Sequence, residues 1–158
     1  MYLKGEIVVY PMHGAGIIEG FEEKYIDGKN KNYFIVSLPL GNLTVMLCAD
    51  GIKDTGLRRI LSRSDINQII KNASAGPSSF RNETWAQRDK ENVERIKTGK
   101  FCEAVAVFYE LYQKEKSKGL SGAEKKTMTT VKKIVLSEIM LGLEMEKCEA
   151  ESMLEKHL

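Results

Sequence analysis

The chain has 158 residues, 42% hydrophobic and 29% charged, the balance of a globular protein. No apolar run approaches the ~18–20 residues of a membrane span, and the opening Met1-Tyr2-Leu3-Lys4-Gly5-Glu6 lacks the basic stretch and apolar core of a secretory signal. The net charge of +2 is unevenly placed: residues 1–70 balance to zero, residues 71–143 carry +5 and residues 144–158 carry −3, so a polyanion partner is sought first in the middle segment.

The first seventy residues read as β. Glu6 to Tyr10 is a β-branched and aromatic run stopped by Pro11, and Ala15 to Phe21 is apolar, punctuated by Gly14, Gly16 and Gly20. Asp27-Gly28 supplies a turn before Asn32 to Leu38, and Gly41-Asn42 separates that strand from Leu43 to Cys48. Short strands at close spacing with glycine at the corners predict a small curled sheet or SH3/Tudor-like barrel. Ser64 to Asn72 predicts a short helix with Ile66, Ile69 and Ile70 on one side.

Ser74-Ala75-Gly76-Pro77-Ser78-Ser79 reads as a linker, and after it the period changes to about 3.6. Asn82 is a candidate N-cap for a helix reaching about Thr98, with Gly99 as its stop. The next helix spans about Lys100 to Lys116, with Phe101, Val105, Phe108 and Tyr112 in one stripe. Ser121-Gly122-Ala123-Glu124 is a capping box. The helix it opens carries Met128, Val131, Val135 and Ile139 on one face. The resulting reading is α+β: a β module over 1–72, a linker over 73–81, and a compact helical module over 82–158 whose last part, 144–158, is an acidic tail that extends the final helix or frays. Modules of about 70 residues stand near the lower limit of independent stability, which predicts that they dock together or onto a partner.

Residues for catalysis are scarce. His13 sits in a glycine-rich turn and His157 in the tail, and no nucleophile elbow, metal-binding helix motif or phosphate loop is present. Cys48, Cys102 and Cys148 are far apart with no paired spacing. They suggest neither zinc nor disulfides, but reduced thiols in a cytoplasmic protein. No acid–base or metal constellation argues for an enzyme, and no cofactor is implied.

Trp85, the one tryptophan, opens a helix at the edge of the basic segment. At 100° per residue it lies about 20° from Ile96, so it could continue the core stripe. Its other flank carries Arg88, Asn92 and Arg95, and an aromatic plate beside guanidinium groups suits nucleic acid. Lys125 and Lys126 stand in the first turn of the last long helix, where cations oppose the helix dipole but complement a phosphate.

The run Val8-Val9-Tyr10-Pro11-Met12-His13-Gly14-Ala15-Gly16-Ile17-Ile18, with Gly5 before it, resembles the opening signature of the CarD family, and Leu43-Thr44-Val45 and Gly56-Leu57-Arg58 fit the same pattern. This half is also similar to the polymerase-interacting domain of transcription-repair coupling factors. Trp85 with Arg88, Gly99, and Leu120-Ser121 with Glu124-Lys125 and Met128 resemble the helical domain of stand-alone CarD-like proteins. The resemblance spans about residues 1–143. It implies a bacterial transcription regulator that binds the RNA polymerase β subunit through an edge strand and modulates open-complex stability. The Leu43 to Cys48 strand is the candidate for that edge, with Leu43, Thr44, Val45, Met46 and Leu47 as its contacts and Lys24 and Lys31 as rim charges. The resemblance further implies contact with the promoter minor groove at the upstream edge of the bubble, and the basic residues predict that this contact is weak and non-specific. Trp85 would be the wedge, with Arg88, Lys90, Arg95, Lys97, Lys125 and Lys126 as cationic contacts. No membrane partner and a monomeric state complete the expectation. The chain departs from its relatives at Met46, where a basic residue is frequent, at Cys48 for proline and at Tyr109 for arginine. A protein-only adaptor, a β module with a helical scaffold, is the alternative.

Overall fold

The computed structural model describes residues 2–74 and 85–156. Five strands, β1 (Ile7–Tyr10), β2 (Gly14–Ile26), β3 (Lys29–Leu38), β4 (Leu43–Cys48) and β5 (Arg58–Arg59), form one antiparallel sheet in the order β4-β3-β2-β1-β5. It is barrel-like but open, with β4 and β5 as its edges. Val8, Ile18, Phe34, Val36, Leu38, Leu47 and Leu57 make its core. Asp27 and Gly28 both have positive φ, 53° and 77°, the geometry of the two-residue hairpin turn that matches strand twist. The hairpin they close is longer than the apolar pattern indicated: Glu22 to Asn32 continues past the end of β4 as a two-stranded ribbon. The register slips between Ile18 and Gly20, an irregularity that bends a strand.

Two glycines matter for different reasons. Gly14 takes φ +92° and lies flush against Ile134 and Ser137 of the last long helix. Gly16 has no positive φ; it is needed because a β-carbon there would stand 2.6 Å from the Ser37 carbonyl.

The helices are α1 (Arg63–Ser74), α2 (Trp85–Lys97), α3 (Phe101–Ser117), α4 (Gly122–Leu143) and α5 (Lys147–Lys156). None among the described residues is long and apolar enough to cross a membrane. Gly99, φ +74°, follows α2 as expected. The capping box at α4 forms: Ser121 Oγ accepts from the Glu124 N–H at 3.2 Å, and Glu124 accepts from the Ser121 N–H at 3.3 Å. The candidate N-cap Asn82, most of the linker and His157 lie outside the described residues. The acidic tail neither extends α4 nor frays: Glu144 turns left-handed, φ 54°, and α5 folds back with Ala150 and Leu154 buried. Tyr109 anchors it, its hydroxyl donating to the Leu154 carbonyl at 3.2 Å. Although α1 was expected with the β module, its Ile66 and Ile70 are fully buried in the helical core beside α3 and α4 residues.

The two halves dock through α4, whose residues Ile134 to Ile139 are buried all round. Ser137 Oγ accepts the Ala15 N–H at 2.8 Å and donates to the Ile134 carbonyl at 2.7 Å. Next to it, Glu138, fully buried, is gripped bidentately by Arg58 at 2.7 and 3.0 Å, while Arg58 Nε donates to the Gly99 carbonyl at 2.7 Å. Pro11 packs on Gly56 and Gly99 at the same corner. Burial raises the Glu138 carboxyl above its ordinary range, and Arg58 only partly offsets this. Strand β5, the β1–β2 turn, the α2–α3 turn and α4 therefore meet at one polar junction inside an apolar contact.

Candidate functional site

Strand β4 hydrogen-bonds β3 on one side, from Leu38↔Leu43 to Tyr33↔Cys48, and has no neighbour on the other among the described residues. An edge strand presents a row of unpaired N–H and C=O groups, which proteins ordinarily guard with charges, proline or bulges. None of these guards is present: Leu43-Thr44-Val45-Met46-Leu47-Cys48 is uncharged and pairs in unbroken register. Leu43, Thr44 and Met46 are exposed, Val45 and Cys48 half-buried, and Leu47 points into the core. Lys24 lies opposite Lys31 on the ribbon, beyond the Cys48 end of β4.

The second candidate surface is the corner where the beginnings of α2 and α4 meet. Thr127 Oγ1 donates to Asp89 Oδ1 at 2.7 Å and joins the two helices near their N-termini. This brings Arg88 and Lys90 of α2 to the same end of the bundle as Lys125 and Lys126 of α4. Lys90, Lys125 and Lys126 are exposed; Arg88 is half-buried, and its buried Nε has no hydrogen-bond partner among the described residues. Trp85 is the first residue of α2, and its side chain lies outside the described part of the structure.

The other two expected cations are engaged elsewhere. Arg95 bonds Glu103 at 2.8 Å and Glu110 at 2.9 Å on α3. Burial disfavours its charge, but the two carboxylates outweigh burial and raise its pKa. To reach DNA it would have to exchange both for a phosphate. Lys97 is exposed beside Glu94 at 3.5 Å. Glu124 at the α4 start is also occupied: burial works against its ionisation, yet Lys114 at 2.6 Å and Ser121 hold its carboxyl below the usual range.

His13 stacks on Tyr10, ring centroids 4.9 Å apart. Among the described residues no group of three histidine, cysteine or acidic side chains could hold a metal ion.

The chain matches two family models end to end: the CarD-like/TRCF RID domain over residues 2–61 and the CarD C-terminal domain over residues 69–155. It is also 34% identical, over 139 residues, to the Bacillus subtilis (strain 168) protein named "Putative transcription factor YdeB", an alignment that covers 88% of this chain and 90% of that protein. The chain belongs to the CarD-like family, and its role is in the regulation of transcription.

Proposed function

We propose that this chain binds the RNA polymerase β subunit by adding a polymerase strand to the free edge of β4. The α2–α4 corner then touches promoter DNA at the upstream edge of the bubble and modulates the stability of the open complex. The observation that carries the reading is β4 itself, an unguarded, uncharged edge in unbroken register. Backbone pairing supplies affinity in such a contact and alternate side chains supply specificity. A sheet edge left in this state is an aggregation hazard unless a partner covers it. Arg88, Lys90, Lys125 and Lys126 give the corner a cationic character without a base-reading fork, which suits phosphate contact and a preference for deformable DNA.

In this reading Trp85 wedges into the minor groove beside melted DNA, where the cost of unstacking has already been met. Base–aromatic contact is worth about 1–3 kcal/mol, so Trp85→Ala should shorten open-complex lifetime roughly five- to a hundredfold, with polymerase pull-down unchanged. A pull-down that fails for the wild-type chain removes the polymerase contact. A Trp85→Ala protein that melts normally and leaves lifetime untouched removes the wedge. Polymerase binding without any salt-sensitive DNA contact would leave a protein-only adaptor.

A further inference from the structure

We infer that the DNA path continues beyond the corner along the outer face of α4, through Lys132 and Lys133, and that the carboxylates of α5 mark where it ends. The inference rests on the reading of the helical module as the DNA-contacting part. Lys125-Lys126 recurs seven residues later as Lys132-Lys133. That is two helical turns, or about 10 Å, along the same face. All four lysines are exposed, and among the described residues none is held in an ion pair. The one carboxylate of this stretch, Glu124, is buried and spent on Lys114. Like charges stacked on one helix face repel, and within α4 itself the stretch from Lys125 to Lys133 carries no acidic residue; the carboxylates nearest Lys132 and Lys133 stand across a groove on α3 and α5. A polyanion relieves that repulsion.

The far side of the stripe is acidic. Between α3, α4 and α5 runs a groove of ≈ 440 Å³, with Lys132 and Lys133 on its α4 wall, Glu115 on its α3 wall, and Glu151 and Glu155 beside a single lysine, Lys147, on its α5 wall. Helix α5 is fixed there by its buried Ala150 and Leu154 and by the Tyr109 hydroxyl. A phosphate backbone crossing the groove would meet like charge, so the track is bounded and the net attraction stays modest. The acidic end of the chain thereby becomes a limit on DNA affinity.

Anisotropy of a labelled duplex with the full chain, measured across a salt series, tests both parts, with thermal melts confirming that each variant is folded. Lys132→Gln/Lys133→Gln should make the slope of log K against log salt less negative by roughly 1 to 2. Glu151→Gln/Glu155→Gln should tighten binding several-fold at low salt. An unchanged slope for the lysine pair, while Lys125→Gln/Lys126→Gln flattens it, makes Lys132 and Lys133 a solvated face and overturns the extended track while leaving the DNA reading intact. Glutamate variants that bind no tighter overturn the boundary. A wild-type slope near zero defeats the DNA reading itself.

Discussion

Replacing Arg58 with methionine isolates the electrostatic part of the junction between sheet and helices. The arginine makes two bonds to Glu138 and one to the Gly99 carbonyl, and Glu138 is fully buried. Methionine keeps much of the aliphatic stem but leaves the carboxylate without a positive neighbour. Removing one partner of a buried pair costs about 3–5 kcal/mol. A quarter of the Arg58 side chain is exposed, so water can enter the vacated space, and a loss of about 3 kcal/mol at neutral pH is expected, the low end of that range. That is a large share of the ~5–15 kcal/mol by which a domain is stable.

The sign of the pH dependence follows from Glu138. Burial already raises its carboxyl and Arg58 opposes the rise, so the variant raises it further above the unfolded value of 4.5. A group whose native pKa is raised stabilises fully below the unfolded pKa and loses that contribution as pH climbs through the native one. The stability gap between wild type and Arg58→Met should therefore be smallest at about pH 5 and widen toward about pH 8. Urea unfolding followed by circular dichroism across that range measures it. Arg58→Met/Glu138→Leu, which removes both charges, should return to within about 1 kcal/mol of wild type. A gap below about 1 kcal/mol at neutral pH, or one that narrows as pH rises, would refute the reasoning.

Gly16→Ala should cost about 1–3 kcal/mol in thermal or urea unfolding, because its β-carbon would press on the Ser37 carbonyl and on Val36 and Leu38; a neutral result would mean that β2 and β3 separate easily. Burial pushes the Tyr109 phenol up to about 12 from 10.0, so an ultraviolet titration should show a late ionisation that Tyr109→Phe removes. The stability held by the neutral phenol should be lost between about pH 10 and about pH 12.

Most of the fold was legible because its signals are local. Strands β1 to β4 announce themselves by β-branched runs and by Asp27-Gly28, and α4 by its reciprocal Ser121 and Glu124 cap. Strand β5 was not, since two residues carry no period and its place is set by β1. The ribbon was underestimated because Glu22 to Asn32 is exposed almost throughout and shows no alternation. In the tail, charge masked the signal that could have revealed α5, Ala150 and Leu154 four residues apart. Ser137 and Glu138 carry no local signal, because their partners, Ala15 and Arg58, are 122 and 80 positions away. Arg95 reads from the sequence as a cationic contact for DNA, yet its two carboxylates wait on the following helix.

The length of those separations has a consequence for synthesis. The corner of the sheet at Gly14 and Ala15 is completed only by α4, so a nascent chain carries an unfinished β module until residue 143 has left the ribosome. Until then the bare side of the sheet and the open β4 edge are exposed together, the condition in which partly made chains pair with one another. Chains terminated before α4 are accordingly expected to be captured by chaperones or proteases rather than to persist as free polymerase-binding fragments.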